Sequence, residues 1–208
     1  WTFYPDGMQP GAATIQKKAV GYNAATGSIE WDVVVSSPNG TNNNDLYITD
    51  RFINAATYLD AVNIVSVTPS KTYSVVDASV AAHQIKLAPL AAGETVTIRY
   101  ASKLKQGQQY LGFKSTNQVD FWNKVDNTTG ASVDTFDKKG LTLKKQLDTA
   151  PTATNREMTW KITLDNSGGA DMAGMTLEDV LSAVYGNMDP TEISKMLASE
   201  QFSLSSGD

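Results

Sequence analysis

Cysteine is absent from all 208 residues, and histidine occurs once, at His83. The first absence removes disulfides, thiolate metal sites and cysteine nucleophiles together. The second removes histidine-rich metal centres and makes a Ser-His-Asp hydrolase a poor fit. His83, just ahead of Gln84-Ile85-Lys86-Leu87, reads as an ordinary strand residue. An excess of positive charge is lacking too: 17 basic residues face 22 acidic ones, for a net charge of −5. That balance argues against nucleic acid or an anionic membrane as the main partner. No apolar run approaches the roughly 20 residues of a membrane-spanning helix. No signal peptide is visible and the chain starts at Trp1, so it reads as a piece of a longer protein. A conventional enzyme is already disfavoured.

What is present is a core-forming composition, 41% hydrophobic and 19% charged, patterned with period two. Ile29, Trp31, Val33 and Val35 alternate with Glu30, Asp32 and Ser36, the signature of a half-buried strand. Leu46-Tyr47-Ile48-Thr49-Asp50 and Val96-Thr97-Ile98-Arg99-Tyr100 continue the pattern, as does the stretch from Leu111 and Phe113 onward. Turn-forming clusters separate the runs: 36–45, 68–71, 90–94 and 126–132. The expected fold is all-β, an immunoglobulin-like antiparallel β-sandwich. A short helix near Asn54–Asp60 is a weaker signal.

The pattern then restarts. Leu143-Lys144-Lys145 is similar to Ile15-Gln16-Lys17, and the strand around Trp160 to that around Trp31. Asp50 follows Trp31 by 19 residues, and Asp179 follows Trp160 by 19. Such self-similarity indicates tandem modules. The expectation is one near-complete sandwich over 1–139 and the front part of a second over 140–208, the second incomplete. It would end in a helix with Asp189 as N-cap, Pro190 as first residue and Glu192 as capping-box partner. Ile193, Met196 and Leu197 would share one face of that helix.

Parity places three polar residues on buried faces. Lys17 shares a face with Ile15, Asp50 with Leu46 and Ile48, and Asn117 with Leu111, Phe113, Ser115, Val119 and Phe121. A buried ammonium or carboxylate needs a partner. In an apolar pocket a lysine tends towards the amine and an aspartate towards the acid. The amine can then attack the carboxamide carbon of Asn117 while Asp50 shuttles protons, expelling ammonia and leaving a Lys17–Asn117 amide. By analogy with disulfides, closing a loop of about 100 residues would contribute roughly 4–5 kcal/mol through the unfolded state. Lys18 is adjacent, and a bulge would make it the reacting amine instead.

These residues, with the strands SIEWDVVV and LYITDRF and the stretch VTIRYASKLKQGQQYLGFKSTNQVDFW, carry a resemblance. The chain resembles the immunoglobulin-like modules of Gram-positive surface adhesins, notably the collagen-adhesin type with internal Lys–Asn isopeptide bonds. The resemblance covers most of 12–139. It implies a lysine on the first strand joined to an asparagine on the last, helped by an acid on a middle strand: Lys17, Asn117 and Asp50. Lys145 and Asp179 stand at the equivalent places of the second module. It implies no turnover enzyme and no cofactor. It also implies a cell-wall-attached, extracellular adhesin or stalk, whose partners are a host extracellular-matrix protein or other host surface ligand and neighbouring modules of the same chain. Collagen binding is not implied, because no ligand-contact motif can be matched.

Other readings stay open. Lys17 can be an ordinary strand lysine, Asp50 a turn-capping acid and Asn117 an edge residue. Asp165, Asn166 and Asp171 have calcium-loop chemistry, but hairpin turns share it, so no metal is assigned. Asn39-Gly40-Thr41 and Asn127-Thr128-Thr129 fit a glycosylation pattern and read better as turns. Trp31 and Trp160 read as repeated core residues, which leaves Trp1 and Trp122 for a carbohydrate platform. A secreted carbohydrate-binding or enzyme-accessory sandwich is therefore the alternative function.

Overall fold

A computed structural model describes residues 13–41, 43–123, 128–150, 152–155, 158–178 and 191. Eleven strands account for most of them: β1 (Thr14–Asn23), β2 (Ser28–Ser37), β3 (Leu46–Phe52), β4 (Leu59–Thr68), β5 (Tyr73–Asp77), β6 (Ala82–Leu87), β7 (Glu94–Leu104), β8 (Phe113–Asn123), β9 (Thr128–Lys138), β10 (Thr142–Thr149) and β11 (Thr159–Asp165). One four-residue helix, α1 (Ala55–Tyr58), lies between β3 and β4. It is shorter than the sequence suggested, because Leu59 and Asp60 already belong to β4. Among the described residues no helix is long and apolar enough to cross a membrane.

Nine strands form two antiparallel sheets, ordered β1-β2-β7-β4 and β5-β6-β3-β8-β9. Alternation in sequence becomes alternation in burial. On β2, Ile29, Trp31, Val33 and Val35 are fully buried, and on β7 so are Val96, Ile98 and Tyr100. Ile48, Ile85, Leu87, Val119 and Phe121 supply the facing side of the core. The Trp31 indole N–H donates to Ser102 Oγ (3.0 Å), which in turn donates to the Ile29 carbonyl (3.0 Å). The polar tip of the largest core side chain is thereby satisfied. The fold is an all-β sandwich.

The two sheets are stitched along one side. The backbone N–H of Lys17 donates to Ser132 Oγ (2.9 Å) and that of Ala19 to Asp134 Oδ2 (2.7 Å). Side chains of edge strand β9 thus occupy donors of edge strand β1, which would otherwise invite another strand. The cluster at 126–132 has turn composition, whereas the structure places 128–132 in β9. Gly130 explains the departure: any side chain there would collide with the ring of Phe121 on the paired strand. The glycine is a packing requirement within the strand. Leu111 is a second departure, exposed in the short turn before β8 and not on its buried face.

The chain divides into two compact units, Trp1–Asp171 and Met172–Asp208. Within the first, β10 and β11 form a separate two-stranded sheet. Trp160, expected in a core, is 38% exposed there while Trp31 is fully buried. The reason is that no second sheet covers the hairpin among the described residues. In the second unit, residues 172–178 carry no helix or strand. Asp179 and the helix expected from Asp189, Pro190, Glu192, Ile193, Met196 and Leu197 lie outside the described residues, as does Trp1.

Candidate functional site

Lys17 comes from edge strand β1 of one sheet, Asp50 from the middle strand β3 of the other, and Asn117 from β8 beside it. Strand pairing sets the Asp50–Asn117 approach. Asp50 lies opposite Val119 and Phe52 opposite Asn117, so the acid and the amide are diagonal neighbours on the inner face. The Lys17 Nζ donates to Asp50 Oδ1 at 2.6 Å, with both side chains fully buried. The Asn117 Nδ2 donates to Asp50 Oδ2 at 3.3 Å. One carboxylate therefore touches the amine and the carboxamide, and it does so across the interior of the sandwich.

Aromatic rings enclose the ammonium. Its nitrogen lies 5.3 Å from the Trp31 ring centroid, 5.5 Å from Phe52 and 5.1 Å from Tyr100. Such faces favour the cation modestly. Burial acts the other way, lowering the Lys17 pKa below the usual lysine range against the opposing pull of Asp50. It also raises the Asp50 pKa, against the pull of Lys17 and the Asn117 hydrogen bond. Desolvation thus drives the pair from ammonium and carboxylate towards amine and carboxylic acid.

Lys18 is exposed on the opposite face of β1, and the bulge in that strand falls later, between Ala19 and Gly21. Asn117 lies on β8, with β9 beyond it at the sheet edge, so it is not on the last strand of the sandwich. The loop after β11 is internally bonded: Asp165 Oδ1 accepts from the Ser167 N–H, and Asn166 bonds both backbone groups of Ala170. Among the described residues no cluster of His, Asp or Glu suits a metal ion. Two shallow clefts of about 380 and 240 Å³ are lined by other residues. The cluster around Asp50 is closed.

Two neighbours of that cluster escaped the sequence reading. His83 lies directly opposite Asp50 in the β3–β6 ladder and is buried. Tyr100, fully buried, faces it edge-on at 6.0 Å between ring centroids. Their parity with Ile85 and Leu87, and with Val96 and Ile98, was the available signal. A further buried lysine, Lys138 at the end of β9, donates to the carbonyls of Gln109 (2.6 Å), Leu111 (3.3 Å) and Lys139 (3.1 Å).

The β10–β11 hairpin repeats the geometry of β1–β2. In one, Lys17 pairs with Val33 and Ala19 with Trp31, and a register shift follows. In the other, Lys145 pairs with Ile162 and Leu147 with Trp160, and a shift follows at the same step. Lys145 Nζ sits 4.8 Å from the Trp160 ring, as Lys17 sits by Trp31. Leu143, Lys145 and Leu147 share a face with Trp160, Ile162 and Leu164.

No protein-family model matches the sequence, and no curated protein does. Among solved structures, the C-terminal domain of the Streptococcus agalactiae AgI/II polypeptide BspA is 12% identical, with a TM-score of 0.45 over 64% of this chain and 52% of that one. The collagen-binding domain of a Staphylococcus aureus adhesin is 15% identical, with a TM-score of 0.37 over 58% of this chain and 95% of that one. AvmM, described as catalysing a macrocyclization, is 11% identical, with a TM-score of 0.35 over 59% and 87%. The likeness spans about half the length of the antigen I/II structures. Major pilins of Corynebacterium diphtheriae and Streptococcus agalactiae are similar as well. The chain is an antiparallel β-sandwich whose structural neighbours include Gram-positive adhesin and pilin domains.

Proposed function

We propose that residues 1–139 are a structural or adhesive module of a cell-wall-anchored bacterial surface protein, locked by an autocatalytic amide between Lys17 and Asn117. The observation that carries this reading is the Asp50 carboxylate, which contacts both the Lys17 amine and the Asn117 carboxamide in a closed, apolar interior. The Lys17 proton passes to Asp50, and the Nζ lone pair attacks Cγ of Asn117. Asp50, now the acid, hydrogen-bonds the developing oxyanion, gives its proton to the leaving nitrogen and takes up the second proton that Nζ sheds on becoming an amide. The Cγ–Nδ2 bond breaks and one ammonia leaves, so an amine and a carboxamide become a secondary amide plus ammonia. A closed site suits a single self-directed turnover better than processing of an outside substrate.

Residues from 140 onward begin a second module of the same design, with Lys145 in the place of Lys17 and Asp179 in the place of Asp50. The shared register and bulge of the two hairpins support it. Host surface ligands and neighbouring modules are the partners this reading implies. No residue here assigns a ligand.

A carbohydrate-binding sandwich is the second reading, favoured by one observation. Trp122, 40% exposed, pairs across strands with Tyr47 on the outer face, with ring centroids 6.2 Å apart. Intact mass under denaturing conditions separates the two readings. The cross-linked chain is lighter than its sequence by one ammonia, and Asp50→Ala restores the full mass. A full mass in the unsubstituted protein, with glycan binding lost in Trp122→Ala, would favour the second.

A further inference from the structure

The buried polar cluster is larger than its reacting trio, and much of it is unpaired. Among the described residues, five buried side-chain atoms have no hydrogen-bond partner: Ser37 Oγ, both ring nitrogens of His83, the Tyr100 hydroxyl and Asn117 Oδ1. Four of these surround Asp50. Native proteins satisfy nearly all buried polar groups, so each exception calls for an explanation. Asn117 Oδ1 is explained by the reaction, as the atom that becomes the oxyanion. His83 and Tyr100 are not.

Position gives His83 a role. As the direct ladder partner of Asp50, with both side chains on the inner face, its Cβ lies about 4.5–5.5 Å from that of the acid. Lys17 reaches the same spot from the opposite sheet. The Tyr100 ring is held against both, 5.1 Å from the ammonium and edge-on to the imidazole. The titratable or polar groups around His83 are Asp50 on β3, Asp77 at the end of β5 and Tyr100 on β7, with Lys17 on β1 and Asn117 on β8 bonded to the same Asp50. A charge on His83 is felt by Asp50 and Asp77 above the others.

Resting on the cross-link reading, we propose that His83 is a positioning residue that gates the Lys17–Asn117 reaction by its own protonation. As a neutral imidazole beside Asp50 it lets the carboxyl take the Lys17 proton. As an imidazolium it pins Asp50 as a carboxylate and withholds the acid that the attack requires. Moving the proton from Lys17 to Asp50 forfeits the imidazolium–carboxylate attraction. It relieves only the repulsion from the ammonium, which acts on His83 less than Asp50 does, so the net effect is a higher barrier. Burial lowers the His83 pKa below its ordinary value of 6.5, so the gate is open near neutrality and closes in acid.

The test uses the full chain recovered unreacted in urea and refolded by dilution into buffers from about pH 4.5 to 8. Loss of ammonia is timed by intact mass, and folding is timed in parallel by circular dichroism. The expected result is a rate that falls at least about tenfold in acid along a single-proton curve, while folding itself is not slowed to match. His83→Phe keeps the ring packed on Tyr100 and is expected to abolish that step, with His83→Gln read the same way should the first variant not fold. Equal pH profiles in the unsubstituted protein and the variant would overturn the gate and leave the cross-link standing. Ammonia retained at every pH in the unsubstituted protein would overturn the cross-link reading itself, and the gate with it.

Discussion

Two buried lysines in one sandwich are satisfied by different means, and the difference separates the lysine proposed to react from one with a structural task. Lys17 faces the Asp50 acid, whose other oxygen accepts from the Asn117 carboxamide. Lys138, only 1% exposed, faces three backbone carbonyls and the Tyr22 ring, 4.7 Å from its nitrogen. Carbonyls accept a proton donor but offer no acid to shuttle protons and no leaving group. Burial lowers the Lys138 pKa, yet nothing around it gives the amine a reaction to perform. Its work is to tie the Gln108–Tyr110 turn to the end of β9. Lys138→Met should therefore leave the loss of ammonia unchanged and lower stability by about 1.5–3 kcal/mol, read from urea unfolding. Lys17, Asp50 and Asn117 were legible in sequence because strict alternation put them on apolar faces. His83 and Tyr100 obey the same parity and passed for plain core strand. Lys138 had no legible partner, since backbone carbonyls from a distant turn leave no residue-type signature.

Elements differ in how far their own sequence specifies them. β2 and β7 are bounded by turns and alternate cleanly, so their existence and facing follow from pattern alone. β9 does not. Its Thr-Thr-Gly-Ala-Ser start has turn composition because it is an edge strand whose polar side chains serve the backbone of β1. Only the tertiary partner makes sense of it. The β10–β11 hairpin is the opposite case: its pattern is clear, and among the described residues no second sheet covers it. Leu143, Leu147, Trp160 and Leu164 are each more than a third exposed. A lone two-stranded sheet is marginal in water. Amide hydrogen exchange should therefore be markedly faster in β10 and β11 than in β1 and β2, despite their shared register. Equal protection in the two hairpins would mean that β10–β11 is covered by another part of the chain, and its exposed face would then need a different explanation.

At the scale of the molecule, the position of the proposed cross-link would matter more than its free energy. An amide between Lys17 and Asn117 joins the first strand of one sheet to the second sheet of the sandwich. It encloses β2 through β7, the bulk of the core. A pull applied at the two chain ends then runs from Lys17 to Asn117 through the side-chain amide and bypasses everything between them. The roughly 100 bypassed residues would span about 330–360 Å if extended. In single-molecule extension, the unsubstituted protein should fall short of its full contour by about that length, and Asp50→Ala should recover it. A full extension in both would show that the strands between Lys17 and Asn117 bear load by hydrogen bonds and packing alone. Such a shortfall would belong to the covalent path alone. A buried Lys17–Asp50 ion pair can raise the force needed to open the sandwich, but it cannot shorten the chain once the sandwich has opened.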